Sequence, residues 1–379
     1  MNRSIAYALA SALLFGASTP LAKQLLDSVS PLLLGGLLYL GAGLGLLLYR
    51  LLRDRGWRHP GLHGRDWGWL GAAIAIGGVV GTAALMFGLQ LSSAASASLL
   101  LNLEAVFTAL LAWLVFREHA SRRVVTGMLA IVAGGLLLAW PADPAATAAT
   151  AAAAATTGAA TAGAALVAPS AWATASAAWL GPLLVALACL GWAIDNNLTR
   201  KVAAADAVFI AGSRGLAVGV VSGGAALALG ASWPSTGPTL AAMLVGLLGY
   251  GVSLVLFVLA LRGLGTARAS AYFATAPFIG VALSLLLLGE ATTWLFWFAG
   301  LLMAVGVWLH LGERHAHLHQ HEAQEHEHWH THDAHHRHPH EGANAGASPG
   351  IAGHRHWHRH EPLTHRHPHY PDTHHQHRH

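Results

Sequence analysis

Residues 95–140 read ASASLLLNLEAVFTALLAWLVFREHASRRVVTGMLAIVAGGLLLAW. Two apolar segments flank a charged corner, Arg117-Glu118-His119 followed by Arg122-Arg123, and one carboxylate, Glu104, sits near the middle of the first segment. The same design returns at 267–310, ARASAYFATAPFIGVALSLLLLGEATTWLFWFAGLLMAVGVWLH. A constant offset of 172 superposes Ala97-Ser98 on Ala269-Ser270, Glu118 on Glu290 and Gly134 on Gly306. An internal repeat of this length sets the architecture ahead of any single residue.

The chain has 379 residues, of which 54% are hydrophobic and 10% charged, well below the charge content of soluble domains. Its 43 glycines and 14 tryptophans suit helices that pack closely in lipid and anchor at its interfaces. The 21 Lys and Arg residues are spread over connecting loops, so a nucleic-acid partner is not expected. Cys189 is the one cysteine and lies inside an apolar run, which excludes a disulfide within the chain and a thiolate metal site. The N-terminal apolar run after Arg3 is read as a first membrane helix and not as a cleaved leader, because the second half contains its counterpart.

Crossing about 30 Å of hydrocarbon takes roughly 20 apolar residues in helical form. Ten segments qualify: 4–23, 31–50, 67–89, 92–116, 122–140, 178–199, 207–230, 238–261, 266–289 and 292–311. The expected fold is therefore an all-α polytopic membrane protein of ten transmembrane helices in two five-helix repeats. Five is odd, so the repeats must be inverted relative to each other. With the N-terminus inside, the inner loops hold Arg3, Arg50, Arg53, Arg55, Arg58, Arg65, Arg117, Arg122, Arg123, Arg200, Lys201, Arg262, Arg268 and Arg314, against Lys23 alone outside. The positive-inside bias thus expects a bacterial-type inner (plasma) membrane protein with both termini cytoplasmic.

The domain boundaries follow. Residues 1–140 form the first repeat and 178–311 the second; 141–177 are an Ala/Thr-rich low-complexity linker, and 312–379 a disordered cytoplasmic tail holding 23 of the 27 histidines.

Each half resembles an EamA-type domain of the drug/metabolite transporter superfamily. The residues that carry the resemblance are the 95–135 segment with its Glu104 and Glu118, the FGASTPLAK run in the first helix, and Arg214 in the seventh. The resemblance covers 4–140 and 178–311 and implies ten helices in two inverted five-helix repeats. It says little about substrate, because the superfamily moves amino acids, sugars, nucleotide sugars, quaternary amines and other metabolites. Three features depart from the pattern: the 141–177 insertion, Tyr39 where the first repeat would carry arginine, and the histidine tail.

The polar groups inside these spans are the candidates for function, because an ionised side chain at mid-membrane costs about 3 kcal/mol on insertion scales. Glu104 is read as a proton or substrate-cation site, with a structural carboxylate as the bland alternative; Ala276 replaces it in the second repeat. Asp195, Asn196 and Asn197 in the sixth helix lie opposite Thr19-Pro20-Leu21 of the first, where Pro20 frees the Gly16 carbonyl and is expected to break the helix. Asp195 is expected to line the site or to pair with Arg200 or Lys201. Arg214 needs an anion, with Glu104 and Asp195 in reach by depth. Asn102, Trp192 and Tyr272 are candidate cavity liners, and Lys23 is an outer gate or a snorkelling lysine.

In the tail, alternating His-x-His, including His326, His328, His330, His332, His335 and His336, is a pattern a divalent transition metal would accept. No cofactor is required by the membrane part, and no motif for ATP use or catalysis appears, so the chain is not expected to be an enzyme. The expected partners are the lipid bilayer and a small-molecule substrate, and a homodimer is compatible with the sequence. The main functional expectation is a secondary active transporter, exporting a small polar metabolite or amino acid by alternating access. Divalent-metal efflux with the tail as collector is the first alternative, and a non-transporting membrane sensor the second.

Overall fold

Away from water, only a helix satisfies the N–H and C=O groups of a single spanning segment, so each apolar run folds as one. A computed structural model describes residues 3–56, 59–115, 121–140, 171–202, 205–264, 266–311, 315–321, 324–330, 354–360 and 363–369. Its helices are α1 (Arg3–Leu25), α2 (Pro31–Asp54), α3 (Asp66–Leu91), α4 (Ala94–Leu100 and Leu103–Leu114), α5 (Arg122–Ala139), α6 (Ala171–Thr199), α7 (Ala207–Ala228), α8 (Thr236–Leu264), α9 (Thr266–Phe273 and Ala276–Leu288) and α10 (Trp294–Leu311). Among the described residues nine spans are long and apolar enough to cross a membrane, and Trp294–Leu309 is a shorter tenth. Leu52, Leu229, Leu286 and Trp294 are each more than two-thirds exposed on the bundle surface, as side chains meant for lipid should be.

The inversion of the repeats is visible in which residues meet. Along α2 and α7, Gly36 faces Gly223, Gly43 faces Gly215, and Leu47 faces Gly212, so the two helices run antiparallel. A Cβ at Gly215 would lie 2.6 Å from the Gly43 nitrogen, and one at Gly43 would lie 2.7 Å from the Gly215 carbonyl carbon. These two glycines are 172 residues apart, so each meets its own repeat equivalent, as residues on a two-fold axis do. Contacts away from the axis come in reciprocal pairs. Gly212 meets Leu47 while Gly219 meets Leu40, and Gly134 of α5 meets Ala299 and Met303 of α10 while Gly306 meets Gly127 and Ile131. Small residues that let backbones touch are the usual means of helix association where lipid removes the hydrophobic drive.

The helices are interrupted at matching places in the two halves. In α3, residues Ile74–Gly81 form a π-helical segment, and in α8 the segment Leu247–Val252 does the same at the repeat-equivalent position. Helix α4 breaks at Leu101-Asn102 and α9 at Ala274-Thr275. The expected break at Pro20 takes another form: α1 runs through the buried Pro20 as one helix, and α6 likewise continues to Thr199. The interruptions belong to the third, fourth, eighth and ninth helices. Gly16 serves close approach, since a Cβ there would lie 3.1 Å from the Gly280 nitrogen of α9.

Each end of the bundle is tied by charge. At the end where α2 finishes and α7 begins, Asp206 caps α7 by accepting the Phe209 N–H at 3.0 Å and pairs with Arg53 at 2.7 Å and Arg50 at 3.4 Å. Arg50 is fully buried and lies over the Phe209 ring. At the opposite end the α3–α4 turn is gripped from both sides. The Lys23 ammonium donates to the carbonyls of Leu89 (2.7 Å), Gln90 (3.2 Å) and Ser92 (2.8 Å), where the dipole of α3 is negative. The Glu290 carboxylate accepts the N–H groups of Ala94 (2.6 Å) and Ala95 (2.8 Å), where that of α4 is positive. The repeat equivalent Glu118 lies outside the described residues, as does most of the 141–177 linker.

Residues Arg314–His379 are a separate unit. Its described backbone comprises β1 (His315–His321) paired antiparallel with β4 (Leu363–His369), and β2 (Gln324–His330) with β3 (His354–His360). Of the candidate metal ligands, His332, His335 and His336 lie outside the described residues, and for His326, His328 and His330 only the backbone is described.

Two outcomes are expected. Gly43→Val should abolish accumulation of folded protein, measured by monodisperse recovery in detergent, while Gly224→Ala, whose Cβ would meet nothing within 4 Å, should melt at or slightly above the wild-type temperature. The Asp206 carboxyl is opposed by burial but held below its ordinary range by the Phe209 N–H and the Arg53 and Arg50 charges. A carboxyl whose pKa is lower in the folded than in the unfolded state stabilises fully above the unfolded value, and that stability disappears as pH falls through the folded value. Asp206→Asn keeps a capping side chain but loses the charge, so it should melt below wild type at pH 7 by the equivalent of about 1 kcal/mol. The gap should close below about pH 4.

Candidate functional site

Helix α6 presents Trp192, Asp195, Asn196 and Thr199 at three- and four-residue spacings, which places them along one side. Trp192 and Asp195 meet the π-helical segment of α3. In a π turn the hydrogen bonds reach one residue further than in an α-helix, which widens the turn and frees a carbonyl. The Trp192 indole N–H donates to the Gly77 carbonyl at 3.1 Å. Gly77 has no side chain for a reason: a Cβ there would lie 2.6 Å from the Asp195 carboxyl carbon, while one at the neighbouring Gly78 would collide with Val218 of α7. Gly77 thus makes the space in which a buried ion pair forms, and Gly78 lets α7 approach beside it.

That pair is Asp195 with Arg214 of α7. Asp195 is almost wholly buried, and its carboxylate also accepts the Thr199 hydroxyl at 3.1 Å. Tyr39 of α2 reaches the same guanidinium, so the departure at position 39 is part of the arginine's environment. Arg214 is therefore engaged by Asp195 and Tyr39; of the basic residues that follow α6, the Arg200 side chain lies outside the described residues.

Glu104 stands just after the break in α4. Its Oε1 accepts the Asn196 amide at 2.8 Å, joining α4 to α6. The glutamate is half-buried and Asn196 is exposed, whereas Asp195 is almost wholly buried. The break that positions it is closed by Asn102, whose amide donates to the Leu99 carbonyl at 2.8 Å while its backbone N–H binds the same oxygen at 3.1 Å. Asn102 is thus a buried helix-break residue. Cys189, buried on α6, lies 3.7 Å from the Leu100 carbonyl at the same break.

The remaining candidates are placed elsewhere. Asn197 bonds back to the Ala193 carbonyl of its own helix at 2.8 Å, and Tyr272 packs with Ala8, Ala260 and Ala269 in a separate cluster. Lys23 is the cap of α3 described above. Among the described residues no three His, Cys, Asp or Glu side chains are grouped to hold a metal ion.

The other half holds an apolar counterpart. Gly249, the repeat equivalent of Gly77, faces Ser18 of α1, whose hydroxyl bonds to the Phe15 carbonyl at 2.6 Å. Ser18 and Phe15 keep the three-residue spacing of Asp195 and Trp192, and the Phe15 and Trp192 rings meet edge-on at 6.5 Å. Phe15 also packs against Tyr250 at 6.0 Å and Phe273 at 5.4 Å. The site is charged on one side of the two-fold and aromatic on the other. Gly77, Gly78 and Ser18 were not singled out from sequence; the signal for the first was present, as the offset that pairs Gly77 with Gly249.

The EamA-like transporter family model matches residues 2–140 and 179–312. A relative from Methanothermobacter thermautotrophicus, named "Uncharacterized transporter", is 24% identical over 307 residues, covering 78% of this chain and 82% of its own. A solved structure described only as "Crystal structure of protein" is 19% identical, covers 80% of this chain and 95% of its own, and superposes with a TM-score of 0.54, a likeness of fold.

Removing one partner of a buried ion pair costs about 3–5 kcal/mol, while removing both is far milder. Asp195→Asn should therefore melt well below wild type, and Asp195→Asn combined with Arg214→Gln should recover most of the loss, as measured by thermal unfolding in detergent.

Proposed function

Because this chain belongs to the EamA-like transporter family, we propose that it is a secondary active transporter, moving a small polar metabolite or amino acid outward through alternating access of its two inverted halves. Its setting is a bacterial-type plasma membrane, with both termini cytoplasmic, where the Arg50 and Arg53 cluster faces the inner side. Energy comes from an ion or substrate gradient. The observation that carries the reading is the division of labour between the two carboxylates: Asp195 is buried and locked to Arg214, while the half-buried Glu104 bonds, among the described residues, to the neutral Asn196 amide alone. Glu104 is the group that takes up a proton or a cationic substrate during the cycle. The paired interruptions in α3, α8, α4 and α9 give each half a place to bend around it.

Vesicles loaded with a pH-sensitive dye test this. Wild type, challenged with mixed amino acids and amines, should show metabolite-dependent proton movement. Glu104→Gln should reduce it at least tenfold while leaving the protein folded. Full retention by Glu104→Gln would remove Glu104 from the coupling step.

A further inference from the structure

The charges around the site do not cancel. With both carboxylates ionised, Asp195, Glu104 and Arg214 leave one negative charge over, and the pairing of Asp195 with Arg214 leaves it on Glu104. The arginine that would hold a substrate carboxylate or phosphate is occupied by Asp195 and Tyr39. A ligand bringing an anion would have to displace a carboxylate that is almost wholly buried, bonded to Thr199 and packed against Gly77. A ligand bringing a cation needs no such exchange. Glu104 and the Asn196 amide are partly or fully exposed polar groups joined to each other, and the Arg214 guanidinium beside them is already engaged by Asp195. Among the described residues, Glu104 is thus a carboxylate held by a neutral amide and not by a cation, an arrangement that favours an ammonium group by charge.

We propose that the ligand of this site presents a positively charged nitrogen to Glu104 and Asn196 and carries no anionic group: an amine, and not an acid, a phosphate ester or a zwitterion. This rests on the transport reading and narrows it, because an amino acid would leave its carboxylate without a partner. Asn196 is then a specificity residue, orienting Glu104 toward the ligand and contributing its own carbonyl oxygen.

Binding to the purified full chain tests the charge preference apart from transport. Thermal stabilisation would be measured with propylamine, 1,4-diaminobutane, tyramine and tetramethylammonium, and with propionate, glycerol 3-phosphate and alanine. At least one of the amines should raise the melting temperature in a concentration-dependent way, and the acids and alanine should not. The shift should be lost in Glu104→Gln, kept in Glu104→Asp and weakened severalfold in Asn196→Ala; the last two cover the case in which Glu104→Gln fails to fold. Stabilisation by propionate, glycerol 3-phosphate or alanine above that by every amine would overturn the proposal and leave the transporter reading intact. No stabilisation by any amine would overturn it as well. Amine binding with no amine flux in vesicles would instead count against the transporter reading and leave the ligand assignment standing.

Discussion

The contact on which the rest depends is the backbone approach of Gly43 to Gly215. Lipid gives two helices no hydrophobic reason to associate, so they hold together through surface fit, and fit is closest where no Cβ intervenes. Placing repeat-equivalent glycines against each other lets α2 and α7 run side by side for their whole length, from Gly36 opposite Gly223 to Leu47 opposite Gly212. Once that axis is fixed, the reciprocal α5–α10 contacts follow from symmetry, and so does the meeting of Phe15 with Trp192. A polar site can then be built on one side of the axis only, because the scaffold is symmetric in backbone and not in side chains.

Much of the architecture was legible in the sequence because two periodicities coincide there: apolar runs of membrane-spanning length, and the 172-residue offset. The offset requires an inverted pair once each repeat has five helices, and the reciprocal glycine contacts bear this out. Helix interruptions were harder to see. Proline is a visible marker, yet Pro20 lies inside a continuous helix, since one missing donor near a helix end is easily absorbed. The π segments and the break at Asn102 have no comparable marker. The α3 segment meets an indole N–H brought by a neighbouring helix, and the α4 break is closed from within, by the Asn102 amide on the Leu99 oxygen.

The site was legible as a set of residues but not as a wiring scheme. Depth along the helices put Asp195, Glu104 and Arg214 within reach of one another, and depth alone cannot say which carboxylate takes the arginine. The choice is made by Gly77, whose missing side chain lets Asp195 sit against α3 beside Arg214. Asn197, adjacent in sequence to Asn196, turns back onto its own helix because a residue one step on faces about 100° away.

A π turn carries one residue more than the α turn it replaces, so Ile74–Gly81 and Leu247–Val252 each absorb a residue while leaving the helix beyond them close to its α phase. Deleting a single residue there would let the turn close as an ordinary α turn, whereas a deletion elsewhere in the same helix would rotate everything past it by about 100°. Thr82 through Leu91 would stay near their neighbours and the α3–α4 turn near Lys23 and Glu290, but the widened turn that meets the Trp192 indole would be gone. These two stretches are therefore where a change in length by one residue spares the scaffold and falls on the site alone.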